Sequence, residues 1–179
     1  MGNYGMANET VKKRIEDAMS NLIGQPMWAC RRAADLAAFH FGRQNKTFDL
    51  KGANTEVGDY ALHVQCPWRI VRDDRVIVGS GDLYYSADIS NEQDSAEFDW
   101  DRNSNRRDEL IRLFFENGSK QFAVQRIAIG TAGSVQILLQ ERYFLEIFPD
   151  DSLAREQWRL LKPDSGEPHF ILTGAGIEV

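Results

Sequence analysis

The sequence predicts an α+β fold: two pseudo-repeated helix-plus-antiparallel-strand units sharing one β-rich core. Three observations predict it. Blocks of text recur in the same order, with 24–32 aligning on 118–126, 60–64 on 143–147, 68–71 on 158–161, and 78–81 falling near 173–176. Each half opens with an amphipathic stretch. Short strand-like runs follow, separated by hairpin-length turns, and such turns favour antiparallel pairing because a parallel crossover needs a dozen residues or more. The expected organisation is a single domain over 1–179, with pseudo-repeats at 10–81 and 106–178 joined by an acidic connector at 82–105.

Thr10 is placed to cap a helix running to about Asn21, with Val11, Ile15, Ala18, Met19 and Leu22 on one stripe. Gly24 and Pro26 stop it. Residues 27–33 and 36–41 read as strands, although the alanine-rich run 33–38 also suits a helix. Residues 43–58 carry loop chemistry and form an insertion relative to the second half. From Tyr60 to Gln65 the apolar and polar positions alternate, as in a half-buried strand. Pro67 interrupts it. Residues 68–71 and 76–79 form a hairpin around Asp73 and Asp74.

The stretch 82–109 holds nine acidic and three basic residues and reads as an exposed connector. A second helix runs from Asp108 through Phe115, and Gly118 ends it. Strands follow at 122–129, 135–139, 143–148, 157–161 and 169–173.

The chain has 179 residues and a formal net charge of -6. That length suffices to bury about 70% of the unfolded surface without disulfides or metal. The negative balance argues against nucleic acid, whose binding needs a basic footprint, and against an anionic membrane surface. It suits a basic protein partner. No apolar run approaches the ~18 residues of a membrane span, and the first residues lack the basic and apolar regions of a signal peptide. A soluble, cytoplasmic protein is expected. Cys30 and Cys66 form no C-x-x-C pair and read as reduced and buried.

Few residues carry chemistry. Trp68-Arg69 and Trp158-Arg159 recur at matched places, and a packing solution explains them better than a catalytic one. His63, Glu146 and Arg69 make up the alternative catalytic set, because a His and a carboxylate brought together by pseudo-symmetry suit acid–base work. Geometry argues against a His63–Cys66 dyad, since positions three apart on a strand face opposite ways. The three histidines and two cysteines lack zinc-ligand spacing. The 99–105 loop fails as a calcium site at Ser104 and Leu110, where Gly and Glu are required. No phosphate-binding glycine loop opens a helix. No metal and no cofactor are expected.

The acidic stretch offers the candidate partner-binding residues Asp94, Glu97, Asp99, Trp100 and Asp101. An aromatic anchor among acids fits a basic partner, with charge steering the encounter.

The segments ALHVQCPWRI at 61–70 and FLEIFP at 144–149, with EQWR at 156–159 and His169-Phe170, resemble those of a family of small bacterial proteins with no assigned activity. The resemblance transfers no catalytic residue. In size, acidity and β-rich character the chain is similar to cytoplasmic immunity proteins of bacterial toxin systems. The expected function is therefore a non-enzymatic, immunity-like protein-binding module. The alternatives are a small-molecule-binding protein or hydrolase with a cleft between the halves, and a homo-oligomer pairing exposed strand edges.

Overall fold

The computed structural model describes residues 3–48, 52–88 and 98–178, with side chains from Thr10 onward. Helix α1 (Asn3–Met19) continues into a 3-10 turn at Ser20–Leu22. Ile15, Met19 and Leu22 lie a helical turn apart and are at most 1% exposed. Gly24 ends the run at φ +82, a conformation that costs a glycine nothing, and its N–H donates to Val124 O at 2.8 Å.

Strands β1 (Pro26–Ala33), β2 (Leu36–Phe41), β3 (Asn45–Phe48), β4 (Asn54–Val57), β5 (Tyr60–Val64), β6 (Trp68–Arg72) and β7 (Arg75–Gly79) precede the second helix, α2 (Arg106–Phe114). Strands β8 (Phe122–Ile129), β9 (Val135–Leu139), β10 (Phe144–Ile147), β11 (Glu156–Leu161), β12 (Phe170–Thr173) and β13 (Gly176–Ile177) complete the chain. Eleven strands form one antiparallel sheet in the order β13-β12-β11-β5-β2-β1-β8-β9-β10-β6-β7, and β3 pairs with β4 separately.

This corrects the expected fold class. The described residues are mainly β, with two α-helices of 17 and 9 residues, so the molecule is not a balanced α+β protein of two helix-plus-strand units. The strands are also not partitioned by halves. β6 pairs with β10, and β11 pairs with β5. The chain crosses between the two parts of the sheet at 65–67 and again at 148–155, so one part joins strands from both ends of the sequence (β1, β2 and β5 with β11–β13) and the other holds the middle strands β6–β10, drawn from both halves.

The two parts meet at a narrow seam, where Pro26 lies opposite Ala123 and Met27 opposite Phe122. Beyond the seam the sheet folds over on itself. Phe39 of β2 meets Trp68 of β6 edge to face, with ring centroids 5.0 Å apart. Trp158 of β11 donates its indole N–H to Gly133 O, in the β8–β9 turn, at 3.0 Å. The core lies between these layers, with Phe39, Phe41, Leu62, Ile70, Phe122, Ile137 and Trp158 wholly buried.

The pairing registers of the two crossings coincide. Val64 lies opposite Trp158 and His63 opposite Arg159. Ile147 lies opposite Trp68 and Glu146 opposite Arg69.

The 43–58 stretch is not a plain loop. β3 and β4 form a hairpin from Asn45↔Val57 to Phe48↔Asn54. It reaches the outer face of β1 and β2, where Arg31 Nη1 donates to Thr55 Oγ1 at 2.6 Å and Gly58 N donates to His40 Nδ1 at 3.3 Å. That cover explains why β2 is buried on both faces. α2 begins earlier than the sequence predicts. Asn105 is the cap, its Oδ1 accepting from Asp108 N at 2.9 Å while its Nδ2 donates to Asp108 Oδ2 at 2.8 Å.

Candidate functional site

A cavity of about 630 Å³ opens where the first crossing, the 3-10 turn Ser80–Tyr84, the start of α2, the β1–β2 turn and residues 150–157 converge. Gln157, itself 3% exposed, ties two walls together. Its carbonyl accepts from Gln65 N at 2.9 Å and Cys66 N at 3.2 Å, and its Oε1 accepts from Asp150 N at 3.1 Å. Phe148 N donates to Pro67 O at 2.8 Å. On the opposite wall, Trp68 N donates to Ser80 Oγ at 3.2 Å. Asp82 accepts from Gly79 N at 2.8 Å and from Arg106 Nε at 3.2 Å. Gly174 backs the 151–153 loop: a Cβ there would lie 2.2 Å from Asp151 O and 2.7 Å from Leu153 O, so only glycine lets the loop sit so close.

The charges around the cavity are unevenly matched. Asp151 pairs with Arg155 at 2.7 Å, and Glu156 pairs with Arg159. Asp35 and Asp150 also line the cavity; neither forms a close ion pair among the described residues, and each acts only at longer range, Asp35 on Arg107 and Asp150 on Arg155. Arg107 is the converse case. Its side chain is 3% exposed, and its Nε lies 3.9 Å from Asp108 Oδ1. Asp108 is already engaged by Arg32 Nε at 2.9 Å. Arg107 Nη1 donates to Asp35 O at 2.9 Å, and Nη2 meets no acceptor among the described residues. Burial pushes the Arg107 pKa below the usual arginine value, with Cys30, Asp108 and Asp35 acting the other way and Arg32 adding to the depression.

The carbonyls Asp35 O and Gly133 O lie just before β2 and β9, each two residues ahead of a matched position, Ala37 and Val135. Those residues pair with Val64 and Ile147 respectively. Trp158 holds the Gly133 carbonyl, whereas Arg107 takes the Asp35 carbonyl. A cation therefore stands where the other half uses an indole.

Cys66 lines the cavity too, but burial pushes its thiol up to about 12. It is protonated at neutral pH and a poor nucleophile. Burial likewise pushes Cys30 up to about 12.

The expected site residues lie elsewhere. Arg69 and Glu146 are brought together, with Nε donating to Oε2 at 2.7 Å, and Gln136 Nε2 donates to Glu146 Oε1 at 2.9 Å. They line a second hollow on the β6–β10 face. His63 does not join them. It sits on β5 opposite Arg159, and its pKa is lowered first by burial and then by Arg159.

Of the acidic partner-binding set, Asp94 and Glu97 lie outside the described residues. Asp99 Oδ1 accepts from Asp101 N at 3.2 Å and Arg102 N at 3.3 Å. Asp101 pairs with Arg32 at 3.3 Å. Trp100 is half-buried, edge to face with Tyr84 at 5.9 Å and near the Arg32 guanidinium. Tyr84 is 56% exposed and belongs to the cavity lining, so the Trp100 turn props one wall of the cavity.

Sequence reasoning missed Arg107, Asp35 and Asp150. One local signal existed. Arg106 and Arg107 occupy the first turn of α2, where the helix dipole disfavours positive charge. Such a conflict marks a residue held there for another reason.

No family model matches the sequence, and neither a curated protein nor a solved structure matches the chain. Among the described residues, no group of three or more His, Cys, Asp or Glu side chains is placed to hold a metal ion, and no helix is long and apolar enough to cross a membrane.

Proposed function

We propose that this chain is a non-enzymatic protein-binding module of the immunity-like kind, acting in the bacterial cytoplasm, and that it takes a basic segment of a partner protein into the cavity beside Tyr84. The observation that carries this reading is the pair of carboxylates Asp35 and Asp150, which line the cavity without an ion-pairing cation among the described residues. The exposed Tyr84 supplies aromatic contact at its edge. Aromatic anchors with a complementary charged surround are the usual composition of a binding hot spot. The formal net charge of -6 favours the encounter with a cation.

The small-molecule or hydrolase alternative has less support. Arg69 and Glu146 satisfy each other, and His63 belongs to a different strand pair.

The test is a peptide array probed with the full chain. Peptides carrying several Arg or Lys should be retained, and retention should weaken as salt screens the charges. The Asp35→Asn, Asp150→Asn double variant should lose about tenfold or more in affinity. Equal retention of basic and acidic peptides would refute the reading.

A further inference from the structure

The same cavity asks for an acceptor as well as a cation. Arg107 lines it, is 3% exposed, has Nη2 without an acceptor among the described residues, and lies 3.9 Å from a carboxylate that already serves Arg32. A buried guanidinium whose carboxylate neighbours, Asp108 and Asp35, form no close pair with it is costly for the protein alone, and a bound carboxylate reaching Nη2 would relieve that cost with a charge-assisted contact. The cation-seeking group is next door, because the residue whose carbonyl touches Arg107 is Asp35 itself. The anion site and the cation site are therefore within reach of one residue. A C-terminal lysine or arginine carries both charges, one on its main-chain carboxylate and one on its side chain. An internal basic residue carries only the second.

Resting on the protein-binding reading, we infer that the cavity captures the free C-terminus of the partner, with the terminal carboxylate on Arg107 and the last basic side chain between Asp35 and Asp150. The cavity of about 630 Å³ is the size that holds a drug-sized group, which suits a chain end better than a long segment passing through. Tyr84 then packs against the residues preceding that end.

The experiment compares three labelled hexapeptides on the full, unaltered chain by fluorescence anisotropy. One ends in Arg with a free carboxylate, the second is its C-terminal amide, and the third carries two further glycines after the Arg. The free acid should bind at least tenfold more tightly than either of the others. An amide that binds as tightly as the acid would overturn the inference while leaving the protein-binding reading standing, provided both lose affinity in the Asp35→Asn, Asp150→Asn variant. Failure of all three to bind would sink the reading beneath it. Arg107→Lys adds a second measurement: it should shrink the difference between acid and amide, whereas a purely structural arginine would leave that ratio unchanged. Because the comparison is between ligands, the result holds even if Arg107 variants are less stable.

Discussion

His40 makes the pH dependence of stability calculable. It is 5% exposed, its ring lies 5.4 Å from Trp28, and its Nδ1 accepts from Gly58 N. Burial, then the positive charges of Arg31 and His63, lower its pKa from 6.5 to about 4. Between those values the unfolded chain binds a proton that the native chain refuses. Stability is therefore full above the unfolded pKa and falls as pH drops from 6.5 towards 4, where the loss levels off. At about 1.4 kcal/mol per tenfold, the loss is on the order of 3 kcal/mol. His63 is shifted in the same direction and adds to the slope. The perturbation is His40→Asn, which keeps an acceptor for Gly58 and removes the titration. The assay is urea unfolding at a series of pH values from 8 to 4. At pH 8 the variant should be less stable by about 1–2 kcal/mol from lost ring packing. Between 6.5 and 4 its stability should fall less steeply than that of the unaltered protein, by up to about 3 kcal/mol. Parallel profiles would refute the argument.

Four other outcomes are expected. Cys66 should resist a thiol reagent at pH 8 until the chain unfolds, because it is 5% exposed and burial pushes its thiol up to about 12; rapid labelling of Cys66 in the native protein would contradict this. Gly133→Ala should lower stability by about 2 kcal/mol or more in thermal melts, because φ is +75 and the new Cβ would lie 2.2 Å from Leu172 Cδ2. Trp158→Phe should cost about 2–3 kcal/mol in urea unfolding, from a small cavity and the unpaired Gly133 carbonyl. Trp100→Ala should weaken capture of basic peptides less than Tyr84→Ala does, because Trp100 acts through Tyr84.

Local patterns were readable where a strand shows one face to water. The alternation from Tyr60 to Val64 and the matched Trp-Arg pairs marked strands β5, β6 and β11. The stripe through Ile15, Met19 and Leu22 marked a buried helical face. The fold class departs from the sequence expectation because a helix heads each half, yet α2 is only nine residues long and forms no layer of its own. The β3–β4 hairpin is not legible in the sequence because each strand has four mostly polar residues, too few for alternation to register. The cavity was invisible for another reason. Asp35, Trp68, Tyr84, Arg107 and Asp150 come from segments that meet only through the crossings, and no spacing along the chain records that meeting. Trp100 drew attention as an aromatic among acids, yet most of what it does is hold Tyr84 and Arg32.

Because strands cross between the two parts of the sheet, neither end of the polypeptide is self-sufficient. During synthesis, the edge of β5 waits for Trp158 and its neighbours to leave the ribosome, and an unpaired edge is where wrong partners attach. Once assembled, the same weave works in the opposite sense. A single protease cut between 89 and 97 would leave two pieces clasped by every rung of β5–β11 and β10–β6, so separately expressed fragments 1–88 and 98–179 should find each other and restore the native protein.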